Sequence, residues 1–244
     1  MILSILIALF AINNPSFESF KELDLKDELI HQPKLSENYV YLFFEKRILR
    51  LELGNLNIEN FFEGDTYNIS ENEIILEKSE EKLKIKMEGT EDKNFKDFYE
   101  FNVKKTFTDN DFIYAQTEDN FLYCIRKKGE KIIWKIKLPS EIMAANSDDK
   151  RVYFICGSDI ILCLKRKGGD IIWWKSIKER CFPKIEFLNG NLLISHREGI
   201  QFLNIKNGTL NGKLDISINF APILSRDYLI LFKTDKILIY KAKK

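Results

Sequence analysis

The sequence predicts an all-β fold, a single β-propeller of about six units spanning residues 15–244. Three observations predict it. A turn motif is written three times at a 39-residue period, a short apolar strand recurs six times, and the N-terminal region carries a strand that the last unit lacks. The motif reads Tyr123-Cys124-Ile125-Arg126-Lys127-Lys128-Gly129-Glu130-Lys131-Ile132-Ile133-Trp134, then Leu162-Cys163-Leu164-Lys165-Arg166-Lys167-Gly168-Gly169-Asp170-Ile171-Ile172-Trp173. A more worn copy follows, Gln201-Phe202-Leu203-Asn204-Ile205-Lys206-Asn207-Gly208-Thr209. Cys124, Cys163 and Phe202 are 39 residues apart, as are Trp134 and Trp173, and Gly169 and Gly208. Units of this length bury their faces only against one another.

The elements follow in chain order. Met1 to Ile12 is an apolar run too short to span a bilayer comfortably, and polar Asn13-Asn14-Pro15-Ser16 follows it. This is the shape of a secretory signal core, so 1–14 is expected to be a signal peptide and the chain to be exported. A buried first strand or helix is the other reading of the same residues. No Lys or Arg precedes the run, which favours the ER lumen over the bacterial periplasm. Phe20-Lys21-Glu22-Leu23-Asp24-Leu25 is the spare strand. It precedes Val40 by 20 residues, close to the 18 that separate Trp134 from Val152, and is expected to complete the last unit. Such closure removes exposed sheet edges.

The recurring apolar strands begin at Val40, Ile74, Ile113, Val152, Leu192 and Leu229, in steps of 34, 39, 39, 40 and 37 residues. Their apolar residues alternate or cluster over a few positions, as in half-buried or fully buried strands. Polar breaks such as Thr108-Asp109-Asn110-Asp111, Ser147-Asp148-Asp149 and Asn189-Gly190-Asn191 separate them and have the chemistry of hairpins and loops.

The turn motif resembles the PQQ-like repeat, whose usual form is Ala-x-Asp-x-x-Thr-Gly-x-x-x-Trp. Cys124 and Cys163 stand at the alanine, Gly169 and Gly208 at the glycine, and Trp134 and Trp173 at the tryptophan. In the first copy Glu130 takes the glycine place and Gly129 the threonine place, while Arg126 and Lys165 replace the aspartate. The resemblance is good over roughly 110–215 and is carried elsewhere by spacing. It implies a glycine that relieves the turn and an indole packed between units. The same repeat occurs in quinone-dependent alcohol dehydrogenases, in the propeller subunit of the bacterial outer-membrane protein assembly machine, in the large lumenal subunit of the ER membrane protein complex, and in lumenal stress sensors. The dehydrogenases match least, because they are larger rings with an adjacent-cysteine disulfide that this sequence lacks.

Composition narrows the function classes. The formal charge of +1 conceals a division: residues 1–117 carry a net −9 and residues 118–244 a net +10. Cys124, Cys156, Cys163 and Cys181 include no C-x-x-C pair, and only His31 and His196 are available, so no zinc site is expected. Cys124 and Cys163 are read as buried free thiols, whereas Cys156 with Cys163 or Cys181 remains open as a disulfide. Ser195-His196 has no evident third partner for nucleophilic catalysis. Two glycosylation sequons, Asn68-Ile69-Ser70 and Asn207-Gly208-Thr209, are no more than an Asn-rich chain yields by chance.

The basic residues are the remaining signal. Arg126, Lys127 and Lys128 in one turn correspond to Lys165, Arg166 and Lys167 in the next, with Lys206 following. Equivalent turns of a propeller share a face, so these charges are expected to form a positive arc that meets an acidic protein surface or anionic lipid headgroups. No nucleic-acid reading motif accompanies them, so nucleic acid is not an expected partner. No enzyme activity, cofactor or metal is expected. The expected role is an exported interaction scaffold, first as a subunit of a membrane-protein insertion or assembly complex, and second as a lumenal sensing or dimerisation domain.

Overall fold

Strands of five or six residues joined by tight turns satisfy their backbone most readily by pairing with their chain neighbours, and all the described strands but the first do so. The computed structural model describes residues 17–36, 38–63, 66–69, 73–78, 81–86, 102–157 and 159–242. The expected signal segment, 1–14, lies outside them. Among the described residues every regular element is a strand.

β1 (Phe17–Asp24) is followed by the sheet of β2 (Lys34–Ser36), β3 (Tyr39–Phe43), β4 (Arg47–Glu52) and β5 (Ile58–Glu63). Next comes a sheet of three described strands, β6 (Thr66–Ile69), β7 (Glu73–Lys78) and β8 (Glu81–Lys86). Two four-stranded meanders follow: β9 (Val103–Thr108), β10 (Phe112–Thr117), β11 (Phe121–Arg126) and β12 (Lys131–Lys137), then β13 (Ile142–Ser147), β14 (Arg151–Cys156), β15 (Ile160–Lys165) and β16 (Ile171–Ser176). A third is made by β17 (Cys181–Leu188), β18 (Asn191–His196), β19 (Gly199–Asn204) and β20 (Leu210–Asp215). The last sheet takes β21 (Phe220–Leu224), β22 (Tyr228–Phe232) and β23 (Lys236–Ala242), and its fourth strand is β1.

The spare N-terminal strand is thus paired with the C-terminal one. Phe17 lies opposite Ala242, Lys21 opposite Ile239 and Asp24 opposite Lys236, with a bulge between Ser19 and Lys21. Lys236 Nζ adds ion pairs to Glu22 at 2.5 Å and Asp24 at 3.6 Å. The observed strand starts three residues before Phe20, because the pairing register rather than the apolar pattern sets its length.

Burial follows strand position. β10, β14, β18 and β22 are covered on both faces and read as continuous apolar runs, whereas the outer strands β12, β16 and β20 alternate. Tyr114, Trp134, Phe154 and Leu164 form one core between the third and fourth sheets, and Tyr153, Trp173, Ile194 and Leu203 form the next. Leu193, Phe202, Leu229 and Leu231 continue the series, and Leu42, Ile230, Phe232 and Ile239 join the last sheet to that of β2–β5. Five four-stranded sheets therefore pack face to face in succession, a propeller-like arrangement.

Polar ties repeat at the same interval. The Trp134 Nε1–H donates to the Arg166 carbonyl at 2.9 Å, and the Trp173 Nε1–H to the Ile205 carbonyl at 3.2 Å. Each indole also lies on a glycine of the following turn: a Cβ on Gly169 would stand 2.8 Å from Trp134, and one on Gly208 2.6 Å from Trp173. Both glycines have positive φ, +74° and +70°. Glu130, at the same repeat position, also has positive φ, 48°. Asp109 and Asp148 are likewise 39 residues apart, and each accepts two amides of its own turn and the hydroxyl of a buried tyrosine, Tyr114 or Tyr153.

One copy of this network departs from the other. Arg166 Nε and Nη2 donate to the Asp109 carboxylate at 3.0 and 2.9 Å, and Ser147 Oγ donates to it at 2.9 Å. Ile205 stands at the equivalent of Arg166, and there Arg151 Nη1 donates to the Ile205 carbonyl instead. Arg166 is only 8% exposed, so it is withdrawn from the positive arc on which the sequence places it. The four cysteines are buried and free, and burial pushes the Cys124, Cys163 and Cys181 thiols up to about 12.

Two outcomes test these ties. Gly169→Ala combines a positive φ with a clash on Trp134 and is expected to cost about 2–3 kcal/mol, whereas Gly129→Ala, with open space around it, costs about 1 kcal/mol; urea denaturation of both variants measures the difference. Burial raises the Asp109 carboxyl, but hydrogen bonds from Arg166, the Phe112 and Asp111 amides and Ser147 overcome it and hold the group at about 2. Its contribution is complete above the unfolded value near 4 and disappears as pH falls through about 2. Stability should fall by about 2 kcal/mol across that window from this group alone. Asp109→Asn, destabilised by about 3 kcal/mol at neutral pH, should show an acid loss shallower by about 2 kcal/mol.

A candidate basic docking site between adjacent turns

The turn between β11 and β12 is bound to the loop that precedes β10, where the Lys127 amide donates to the Asp111 carbonyl at 2.8 Å. The next turn, between β15 and β16, is closed by Gly168 and Gly169 amides on the Lys165 carbonyl and is pinned by Trp134 and Arg166 to the unit before it. Between the two turns lies an open depression of about 330 Å³ lined by Asn110, Asp111, Phe112, Arg126, Lys127, Lys128 and Lys167.

Arg166 is not part of the lining but holds two of the residues that are. Its guanidinium lies over the Phe112 ring at 4.9 Å, and its Nη2 bridges Asp109 at 2.9 Å and Asp111 at 3.1 Å. The hydrogen bonds to Asp109 raise its pKa further, so it stays a fixed cation whose charge is already answered. The surrounding cations differ. Arg126, Lys127, Lys128 and Lys167 are exposed, and none makes a side-chain hydrogen bond or ion pair with the described residues. Asp111, the one acid in the lining, is tied to Arg166, so the four cations are in excess and an arriving carboxylate or phosphate relieves their mutual repulsion.

Of the seven residues of the expected arc, the structure brings Arg126, Lys127, Lys128 and Lys167 to one depression. Lys165 turns away to Asp170 at 3.0 Å, Arg166 is buried, and Lys206 is exposed on the following turn, outside the depression. Sequence reasoning missed Asn110, Asp111 and Phe112 as lining residues. The 39-residue spacing of Asp109 and Asp148 was the available signal that this loop belongs to the repeat. The repeat positions Trp134, Trp173, Gly169 and Gly208 all serve contacts between units, and Gly129 sits at an open turn. Elsewhere, Ser195 and His196 are buried at the end of β18, and burial lowers the imidazole pKa so that it stays neutral.

No protein-family model matches the sequence, and no curated protein matches it. Solved structures do resemble it. A chain of the Mitotic Checkpoint Complex overlaps with a TM-score of 0.58 at 7% identity, over 95% of this chain and 93% of that one. The computationally designed Ika4 protein overlaps with a TM-score of 0.50 at 11% identity, over 60% of this chain and 95% of Ika4. BamB from Moraxella catarrhalis has a TM-score of 0.46 at 13% identity; the match covers 88% of this chain and 58% of BamB. At these identities the first two likenesses are of fold.

Proposed function

We propose that this chain is a non-enzymatic scaffold, a propeller of six PQQ-like units closed by its N-terminal strand, which holds an acidic protein partner at the basic depression. The observation that carries the reading is the set of four cations, Arg126, Lys127, Lys128 and Lys167, that line one depression with no ion-pair partner among the described residues. Neighbouring sheets are locked by buried aromatics and indole hydrogen bonds, so binding needs little ordering of the backbone that carries the charges. Fold likeness to a chain of the Mitotic Checkpoint Complex is compatible with service in an assembly. Export through the 1–14 segment, the ER lumen, and membership of a membrane-protein insertion or assembly complex complete the reading.

The test uses the full chain, affinity-tagged, purified under mild detergent from cells that make it. A multi-subunit membrane complex should accompany the wild type. Joint reversal of Arg126, Lys127, Lys128 and Lys167 to Glu should reduce its recovery by about tenfold or more while leaving the thermal midpoint unchanged, because none of the four supports the fold. Raising ionic strength should weaken the wild-type association in the same direction. Undiminished recovery by the reversed variant would reject the depression as the docking site. Selective loss of binding to phosphatidylserine vesicles, with the protein complex retained, would replace the protein partner by a membrane surface.

A further inference from the structure

Among the described residues, the outer strand of each four-stranded sheet leaves one backbone edge unpaired, and most of these edges are guarded. In β12, β16 and β20 a bulge interrupts the pairing at the same repeat position, opposite Cys124/Ile125, Cys163/Leu164 and Phe202/Leu203, and β5 has a bulge two residues further along, opposite Ile48/Leu49. At the second residue beyond the bulge β12 and β20 place an exposed lysine, Lys135 opposite Tyr123 and Lys213 opposite Gln201, and β5, beyond its own bulge, places Glu63 opposite Arg47. Bulge and charge both discourage an edge from accepting another strand.

β16 keeps the bulge and loses the charge. Trp174 stands at that position, opposite Leu162, and is 63% exposed. Two residues further on, where β12 and β20 carry Lys137 and Asp215, β16 carries Ser176. Ile171 and Ile172, 57% and 39% exposed, extend the apolar surface. The equivalent lysines are engaged within their own sheets: Lys135 Nζ lies 3.9 Å from the Phe121 ring centre, and Lys213 pairs with Asp215 at 2.7 Å. An indole left this far in water adds little to the fold that a lysine would not, so its presence points outward.

We infer that the edge of β16 is a docking strand for an extended segment of a partner protein whose side chains alternate between apolar and acidic. Backbone groups of Trp173 to Ser176 supply the pairing and Trp174 the anchor. The acidic half of the pattern follows from the charges around the edge. Lys175 lies on β16 itself and Lys167 on the turn that leads into it, while Lys165 and Asp170 answer each other in an ion pair at 3.0 Å. A second copy of this chain, edge to edge, would set the same lysines against one another. The inference does not depend on Arg126, Lys127 or Lys128.

Fluorescence anisotropy with the full chain and a fluorescein-labelled peptide of about ten residues, alternating valine and glutamate, tests it. Saturable binding is expected, weakened about tenfold or more by Trp174→Lys, which restores the residue type of β12 and β20 and should leave the thermal midpoint unchanged. Reversal of Arg126, Lys127 and Lys128 to Glu should leave this binding intact. The same peptide N-methylated at alternate amides, or with lysine for glutamate, should not bind. Absence of binding, equal binding to Trp174→Lys, or equal binding of the N-methylated peptide would overturn the inference. Self-association abolished by Trp174→Lys, without peptide binding, would also overturn it and assign the edge to a second copy.

Discussion

A tryptophan on the outer strand of one sheet finds a tyrosine of its own sheet beside it, and the whole arrangement follows from where it finds the rest of its cover. Trp134 and Trp173 are each 8% exposed because the following unit lays a glycine turn across the ring and offers a carbonyl to the indole N–H. A side chain at the glycine would hold the units apart, and a missing carbonyl would leave a buried donor unsatisfied. Stability therefore belongs to pairs of units more than to any single sheet, as in other stacked repeats. The same contact fixes the position of each turn relative to the unit before it. That is why residues two or three places from the glycine, Lys167 among them, are held at a defined distance from the preceding turn.

Electrostatics in this molecule divides into charges that are spent and charges that are not. Asp109 gathers a guanidinium, two amides and two hydroxyls, and together these overcome the cost of its burial. Arg166 is consumed in the same cluster. Around it stand cations of identical sequence type that have no such partner, and the difference lies in which of them the loop of Asp109 to Asp111 can reach.

The sequence made the architecture legible because the period of 39 residues is carried by residues with distinct physical duties, glycine at a left-handed turn and tryptophan between sheets. The exchange of the N-terminal strand was legible from chain spacing, since the distance from Phe20 to Val40 matches that from Trp134 to Val152. The fate of Arg166 was not. Its partner Asp109 is 57 residues away, and its neighbours Lys165 and Lys167 look the same in one dimension. Trp173 and Trp174 show the opposite case. Alternation along a strand sends adjacent residues to opposite faces, and the copy with Trp134 followed by Lys135 shows which indole is buried. The lining role of Asn110 to Phe112 depended on the folded turn, which no local pattern discloses.

The pairing of β1 with β23 has a kinetic side. Residues 17–24 meet residues 236–242, so this sheet joins nearly the full length of the chain and its closing contacts are among the least local the molecule makes. The meanders between them need only neighbours and can form early, while the end-to-end pairing carries the largest loop-closure entropy. During synthesis β1 emerges first and waits until β23 has left the ribosome. Its pairing edge must therefore remain uncommitted through most of translation, which makes β1 the strand with the longest exposure to mispairing and to chaperones.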